Sequence, residues 1–327
     1  MNSRIEIPPS WERLAIEKLS GLLMVIGAPD SGKSTFARYL YSRLCAYHER
    51  TAFIDGDVGQ ATLGPPTTMT LIVQQNHYPA ETPLNEELTI RQDGFTFKDD
   101  LSNVEIFRVF VGSTSPRGHM LQTVIGLHKL TSQAYRLGAT AIVLDTTGLV
   151  AQEQGGGILK LCKIDLLEPK IVFAIRRDRE LEHILIPLRR SARTSLIELS
   201  PAPTITPRDF ATRRAHRVSA FRRYFSDASP LELQWTRFAV VPAPVFHPGR
   251  VVALEDSRGF SIGLGIVLQV DRPQRMVSIL TPTRSTDRID TIKLGNIWLD
   301  AQTFEERRRW EILNEKNLQG DSHTESS

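Results

Sequence analysis

The sequence predicts an α/β fold, a parallel sheet covered by helices on both faces, followed by a small C-terminal β-rich domain. Three observations point there. Short, nearly all-apolar runs alternate with stretches of helical periodicity, the pattern of strand–helix units. The first apolar run is joined to the first helical stretch by Gly-x4-Gly-Lys-Ser. From about Leu233 the texture changes to Val, Pro and Gly with short alternating runs, such as 260–270 and 277–281.

The elements follow in order. Residues 22–26, Leu-Leu-Met-Val-Ile, are a buried strand, and 36–47 an amphipathic helix. Residues 51–54 form a second strand that ends in Asp55-Gly56-Asp57. Residues 75–103 break the rhythm with Pro79, Pro83 and a small hairpin at Asp93-Gly94, and read as an insertion or covering loop. Strands at 106–111, 141–144 and 171–175 resume the alternation. Met120, Val124, Leu127, Leu130, Ala134 and Leu137 fall at helical spacing, closed by Gly138 as a C-terminal cap. Residues 209–225 are helical, and a charged helix begins at Glu305 before a polar end that has little to bury. The expected division is an N-terminal segment 1–20, a nucleotide-binding domain 21–230, a β-rich domain 231–304 and a tail 305–327.

Composition bounds the function. A chain of 327 residues, 41% of them apolar, is long enough for about two domains. A net charge of +3 marks no nucleic-acid binder by its sum, so basic surface must come from where charges cluster. Cys45 and Cys162 lack metal or redox spacing and read as buried small hydrophobes; the histidines likewise show no paired metal spacing. No apolar run approaches the ~20 residues of a membrane span, and Arg4, Glu6, Glu12, Arg13, Glu17 and Lys18 leave no room for a signal-peptide core. The expectation is a cytoplasmic protein with no membrane partner.

Residues 27–35, Gly27-Ala28-Pro29-Asp30-Ser31-Gly32-Lys33-Ser34-Thr35, are a P-loop. Two glycines let the backbone turn successive N–H groups onto a phosphate, and the next helix adds its positive dipole end. In this role the loop holds ATP, Lys33 reaches the β- and γ-phosphates, and Ser34 binds Mg2+. The second constellation is Asp55-Gly56-Asp57-Val58-Gly59-Gln60 at the end of the neighbouring strand. A kinase needs a carboxylate there to steady the metal and orient the attacking hydroxyl, which assigns Asp57; in most proteins such a run is only a tight turn. Residues 112–118 follow a strand and precede a helix, so their amides and hydroxyls stand at the same sheet edge and suit a second anion. The alternative is a plain turn with Thr114 or Ser115 as N-cap. Between Arg176 and Arg223 lie twelve arginines, no lysine and five acidic residues. Arg213 and Arg217 share a helix face, with Arg214 beside them, and are read as a lid over the nucleotide; the alternative is a solvated charged face.

The loops at 27–35 and 55–60 together resemble the polynucleotide 5′-hydroxyl kinase family, whose members phosphorylate RNA ends in tRNA splicing, pre-mRNA 3′ processing and ribosomal RNA maturation. Ser113-Thr114-Ser115-Pro116-Arg117-Gly118 is similar to that family's clasp, Val143-Leu144-Asp145-Thr146-Thr147-Gly148 to its later strand-end motif, and the stretch closing with Arg223-Tyr224-Phe225 to its lid. The resemblance implies ATP-dependent phosphorylation of a polynucleotide 5′ end, RNA favoured over DNA, with protein partners unspecified. Lys33, Asp57, Arg213 and Arg217 are then catalytic, and Ser34 and Asp57 hold the metal. Asp55, Gln60, Thr114, Ser115, Pro116, Gly118, Thr147 and Arg214 face the substrate strand. Leu149 stands where family members commonly carry a base-stacking aromatic, with Tyr135 or Phe225 as stand-ins. Two other readings compete with it. Asp145-Thr-Thr-Gly148 also fits a nucleotide-hydrolysing switch, but Cys162-Lys163-Ile164-Asp165 lacks the Asn of a guanine-reading loop and reads as a helix-to-strand connection. A kinase of a small metabolite would need no basic groove.

Overall fold

The structure, a computed structural model, describes residues 7–75, 103–203, 205 and 208–307; the expected Asp93-Gly94 hairpin and the polar end lie outside these. The chain divides into two compact units. The first carries the chain as far as Arg213; the second runs from Arg214 and takes in the short pieces Pro65–Thr67 and Gly112–Thr114.

The first unit holds, in chain order, α1 (Pro9–Glu12), β1 (Gly21–Gly27), α2 (Lys33–Leu44), β2 (Arg50–Gly56), β3 (Thr68–Gln75), β4 (Val104–Phe110), α3 (Met120–Arg136), β5 (Ala141–Thr146), α4 (Gly156–Leu167), β6 (Ile171–Ile175), α5 (Glu182–Arg189) and β7 (Ser195–Leu199). Its sheet runs β4-β3-β2-β5-β1-β6-β7. The strands β2, β5, β1, β6 and β7 are parallel; β3 is antiparallel to β2, and β4 to β3. Two reversals restore direction, so β4 points the same way as β2 and the chain leaves it at the carboxyl edge.

Alternation along the buried strands assigns the faces. Leu23, Val25, Phe53, Val143 and Phe173 share one core cluster with Trp11, Phe36, Leu40 and Leu44, which places α2 on that face. Phe36 packs its ring against Trp11 and Phe173. On the other face, a Cβ at Gly56 would meet Leu127 of α3, and α4 packs on α3 and on α5. Gly138 closes α3 with a φ of +78°, as its spacing predicts. The helix α6 (Phe210–Tyr224) opens on Asp209, whose carboxylate accepts from Thr212 N at 2.7 Å.

The second unit is a sheet of β8 (Ser229–Gln234), β9 (Ala239–Val241), β10 (Arg250–Glu255), β11 (Ser261–Asp271), β12 (Met276–Thr281), β13 (Thr291–Leu299) and β14 (Glu306–Arg307), around Leu233, Phe246, Val252, Leu254, Val277, Ile279 and Ile292. Three expectations are corrected. The segment expected as the start of a charged helix at Glu305 pairs instead as β14, Glu306 opposite Leu299 and Arg307 opposite Trp298. The segment 162–165 is no connection but the interior of α4, because Leu159, Ile164 and two lysines bury one side of that helix. Cys162 is exposed, and Cys45, the C-cap of α2, is half-buried where it packs against the core cluster of that face.

Candidate functional site

Strand register decides what meets at the sheet edge. Val25 of β1 pairs with Asp145 of β5, and Asp145 with Asp55 of β2. Two residues further on, Gly27 at the tip of β1 therefore stands in one row with Thr147 and Asp57, each one residue beyond its strand. The P-loop, the strand-end motif and the Asp-x-Asp loop are thus brought together by the pairing of three adjacent central strands.

The P-loop has the geometry of an anion cradle. A Cβ at Gly27 would fall 2.3 Å from Ser31 Oγ and 2.9 Å from Ile175 O, so only glycine allows the loop to close on itself. Asp30 and Gly32 adopt left-handed backbone, φ +55° and +83°, and Gly32 is the N-cap of α2. Lys33 is buried in the first turn of that helix, beside the half-buried Ser34 and Thr35.

Two aspartates at the end of β2 do different work. Asp55 is 2% exposed, and its carboxylate is consumed by its own loop. Oδ1 accepts from Asp57 N at 3.2 Å, and Oδ2 from Thr62 N at 2.6 Å, Thr62 Oγ1 at 3.1 Å and Leu63 N at 3.1 Å. Burial pushes its pKa up despite these bonds. Asp57 is half-buried, and its Oδ1 accepts from Gly59 N and Gln60 N, both at 3.0 Å. Gln60 donates Nε2 to Gly59 O at 2.8 Å and to Arg213 O at 3.3 Å.

Asp145 is the residue the sequence reading left without a role. It is 4% exposed, and its carboxyl is pushed up to about 6, first by burial and then by the charges of Asp55 and Asp57, against the pull of Lys33 and a hydrogen bond from the Ser34 side chain. A P-loop serine bonded to a strand-end carboxylate is a donor set for a hard cation. Two further groups went unread, Lys160 and Lys163, three apart on α4 and both fully buried. Lys160 Nζ donates to Thr146 Oγ1 at 2.8 Å and to Thr147 O at 2.5 Å, tying down the strand end beyond Asp145. Burial holds its pKa well below the usual lysine value, with the charges of Lys163 and Lys33 adding to the effect. Lys163 is lowered to about 8 by burial, countered by Asp57. The signal available beforehand was the spacing of two lysines on a helix otherwise rich in Leu and Ile.

Several buried polar atoms here have no hydrogen-bond partner among the described residues: Ser31 Oγ, Gln60 Oε1, Asp145 Oδ1, Thr147 Oγ1 and Lys163 Nζ. Such orphaned atoms are costly unless a ligand completes them, and together with the glycine cradle they fit a nucleotide phosphate with a divalent cation.

The remaining sequence-predicted residues are placed as follows. Thr114 falls within the second unit; Ser115, buried Pro116 and exposed Gly118 fall within the first, where Ser115 Oγ accepts from Arg117 N at 3.2 Å. Six of the twelve arginines are ion-paired among the described residues. Arg176 and Arg189 pair with Glu182 and Glu198, and Arg193 with Asp165. Arg213 pairs with Asp30 of the P-loop at 2.5 Å, whereas Arg214 pairs with Glu305 and Arg217 with Glu306 within the second unit. Phe225 is 4% exposed with its ring stacked on Phe304, centroids 5.7 Å apart, and Tyr135 lies at the end of α3 by the strand starts, at the edge away from the P-loop.

Fold and strand-end site define a P-loop nucleotide-binding protein. Residues 27–227 match the family model of the mRNA cleavage and polyadenylation factor CLP1 P-loop, and the chain belongs to that family. It is 25% identical to the polyribonucleotide 5′-hydroxyl-kinase of Pyrococcus abyssi, over 88% of this chain and 92% of that protein. The like-named proteins of Thermococcus kodakarensis and Methanocaldococcus jannaschii are 27% and 23% identical, covering 84% and 85% of this chain and 87% of each relative. Clp1p, solved in complex with Pcf11p, superposes with a TM-score of 0.64 at 12% identity, over 88% of this chain and 77% of that one, which shows the shared fold. Among the described residues no helix is long and apolar enough to cross a membrane.

Proposed function

We propose that this protein is an ATP-dependent polynucleotide kinase that phosphorylates the 5′-hydroxyl end of RNA. The observation that carries the reading is the strand-end row itself, in which register sets the P-loop, Asp57 and Thr147 side by side with Asp145 beneath them. The archaeal relatives named as polyribonucleotide 5′-hydroxyl-kinases, each covered over most of its length, give the substrate class.

In this reading the amides of residues 27–35 and the Lys33 ammonium bind the triphosphate. Ser34 and Asp57, joined by Asp145, would hold Mg2+, which would supply charge neutralisation to the phosphates. Asp57 orients the acceptor hydroxyl and takes its proton; the Gly59 and Gln60 amides fix one carboxylate oxygen and so aim the other. Asp55 shapes this loop from below. Lys160 holds the Thr147 carbonyl, and Thr147, Gln60 and residues 114–118 position the substrate strand. Arg213 offers its guanidinium to the transferring phosphoryl group.

Incubation of the protein with ATP, Mg2+ and a 5′-hydroxyl RNA should convert that RNA into a substrate for a 5′-phosphate-dependent exonuclease. A consumed ATP pool with the RNA still resistant would replace the kinase by a hydrolysing switch.

A further inference from the structure

Asp30 puts a carboxylate inside a loop built to receive a polyanion, where its own charge opposes binding. The structure shows what offsets it. Asp30 Oδ2 accepts from Arg213 Nη2 at 2.5 Å and from Arg208 N at 3.1 Å, and Asp30 O accepts from Arg177 Nη2 at 3.0 Å. The same Arg177 nitrogen reaches Ile205 O at 3.4 Å, and Ile205 lies so close over Gly32 that a Cβ there would fall 2.0 Å from its Cδ1. Gln60 Nε2, on the Asp57 side, donates to Arg213 O. Arg208 and Arg213, before and at the start of α6, are therefore held to the P-loop by one acidic residue, whose side chain is 16% exposed.

We propose that Asp30 is a positioning residue: it seats Arg213 beside the phosphate cradle, and Arg213 in turn cancels the charge that Asp30 would otherwise present to ATP. The inference rests on the kinase reading for what Arg213 does in turnover, but its binding half stands without it. The left-handed backbone at Asp30 suits Asn as well as Asp, so Asp30→Asn removes the charge without straining the loop.

The test measures equilibrium binding of a non-hydrolysable ATP analogue with Mg2+ to the full chain, together with turnover on 5′-hydroxyl RNA, in four proteins: unaltered, Asp30→Asn, Arg213→Gln and the double variant, each first checked by its melting curve. Arg213→Gln leaves the Asp30 charge bare and should weaken nucleotide binding about tenfold, the factor that goes with 1.4 kcal/mol. Adding Asp30→Asn should restore most of that affinity while turnover stays low. Asp30→Asn alone should keep its affinity yet lose kcat about tenfold, without a rise in KM for ATP, because Arg213 is no longer seated. A double variant that binds as weakly as Arg213→Gln overturns the charge-cancelling role, and an Asp30→Asn protein with unchanged kcat overturns the seating role. Unaltered protein that binds the analogue but transfers nothing to RNA refutes the kinase reading instead, and the affinity cycle still decides the inference.

Discussion

At the scale of single residues, the chemistry turns on carboxylates that share a sequence environment and differ in what they touch. Asp55 and Asp57 look equivalent in Asp-Gly-Asp, yet Asp55 spends its oxygens on its own loop and Asp57 keeps one oxygen clear of those turn amides. Nothing in the spacing distinguishes them; the hairpin-like return at Thr62 and Leu63 does. Asp145 has the clearest pH signature. Its folded-state pKa, about 6, lies above its ordinary value of 3.8, so the folded protein binds the proton more tightly than the unfolded chain. The contribution of Asp145 to the stability of the metal-free protein should therefore fall as pH rises from about 4 to about 6, by on the order of 2–3 kcal/mol, and stay level above. Denaturant melts at stepped pH check this: Asp145→Asn should flatten the slope and be the more stable protein at neutral pH, while losing on the order of 10²-fold in turnover. An unchanged slope in that variant would locate the titration elsewhere.

At the scale of elements, β1, β2, β5, β6, α2 and α3 were legible because each is a short apolar run or a helical stripe, and the P-loop could be read because its context needs only the strand before and the helix after. Two strands of the first sheet were missed, β3 and β7. Thr-Met-Thr-Leu-Ile-Val lies behind Pro65-Pro66 and pairs antiparallel at the side of the sheet, where the strand–helix–strand rhythm that guided the reading no longer holds. The chemistry of α4 was hidden for another reason, since lysines on a helix normally mean solvent. Lys160→Met should melt at a lower temperature, because Thr146 Oγ1 and the Thr147 carbonyl lose their buried donor, and should lose at least about tenfold in initial rate as the Thr146–Thr147 strand end loosens. Unaltered rates would make Lys160 a packing residue only. On α6 the arginines divide by partner: Arg213→Ala and Arg217→Ala should both stay folded with a modestly lowered melting temperature and both turn over more slowly, Arg213→Ala the more severely because its partner is in the P-loop. Equal, undiminished rates in the two variants would remove the lid.

At the scale of the whole molecule, charge and fold give different kinds of information. A net charge of +3 conceals a stretch of twelve arginines, many of which are spent on Glu182, Glu198, Glu305, Glu306 and Asp30, while Arg222 and Arg223 remain exposed. Binding of a 5′-hydroxyl RNA should weaken with salt, at a slope of about 0.7 for each phosphate neutralised, and titration at stepped potassium chloride reads it. A salt-independent affinity would mean that RNA is held by stacking or hydrogen bonds alone. The β-rich second unit was legible as a texture but not as a function, because alternating strands report burial and not what their outer face meets. The account stands on Asp57 as the carboxylate that serves the acceptor hydroxyl, and transfer of label from γ-labelled ATP to paired 5′-hydroxyl RNA and DNA oligonucleotides tests that most directly. The unaltered protein should label the RNA and the Asp57→Asn variant should leave it unlabelled while still binding ATP; label that persists undiminished in the variant would contradict the mechanism.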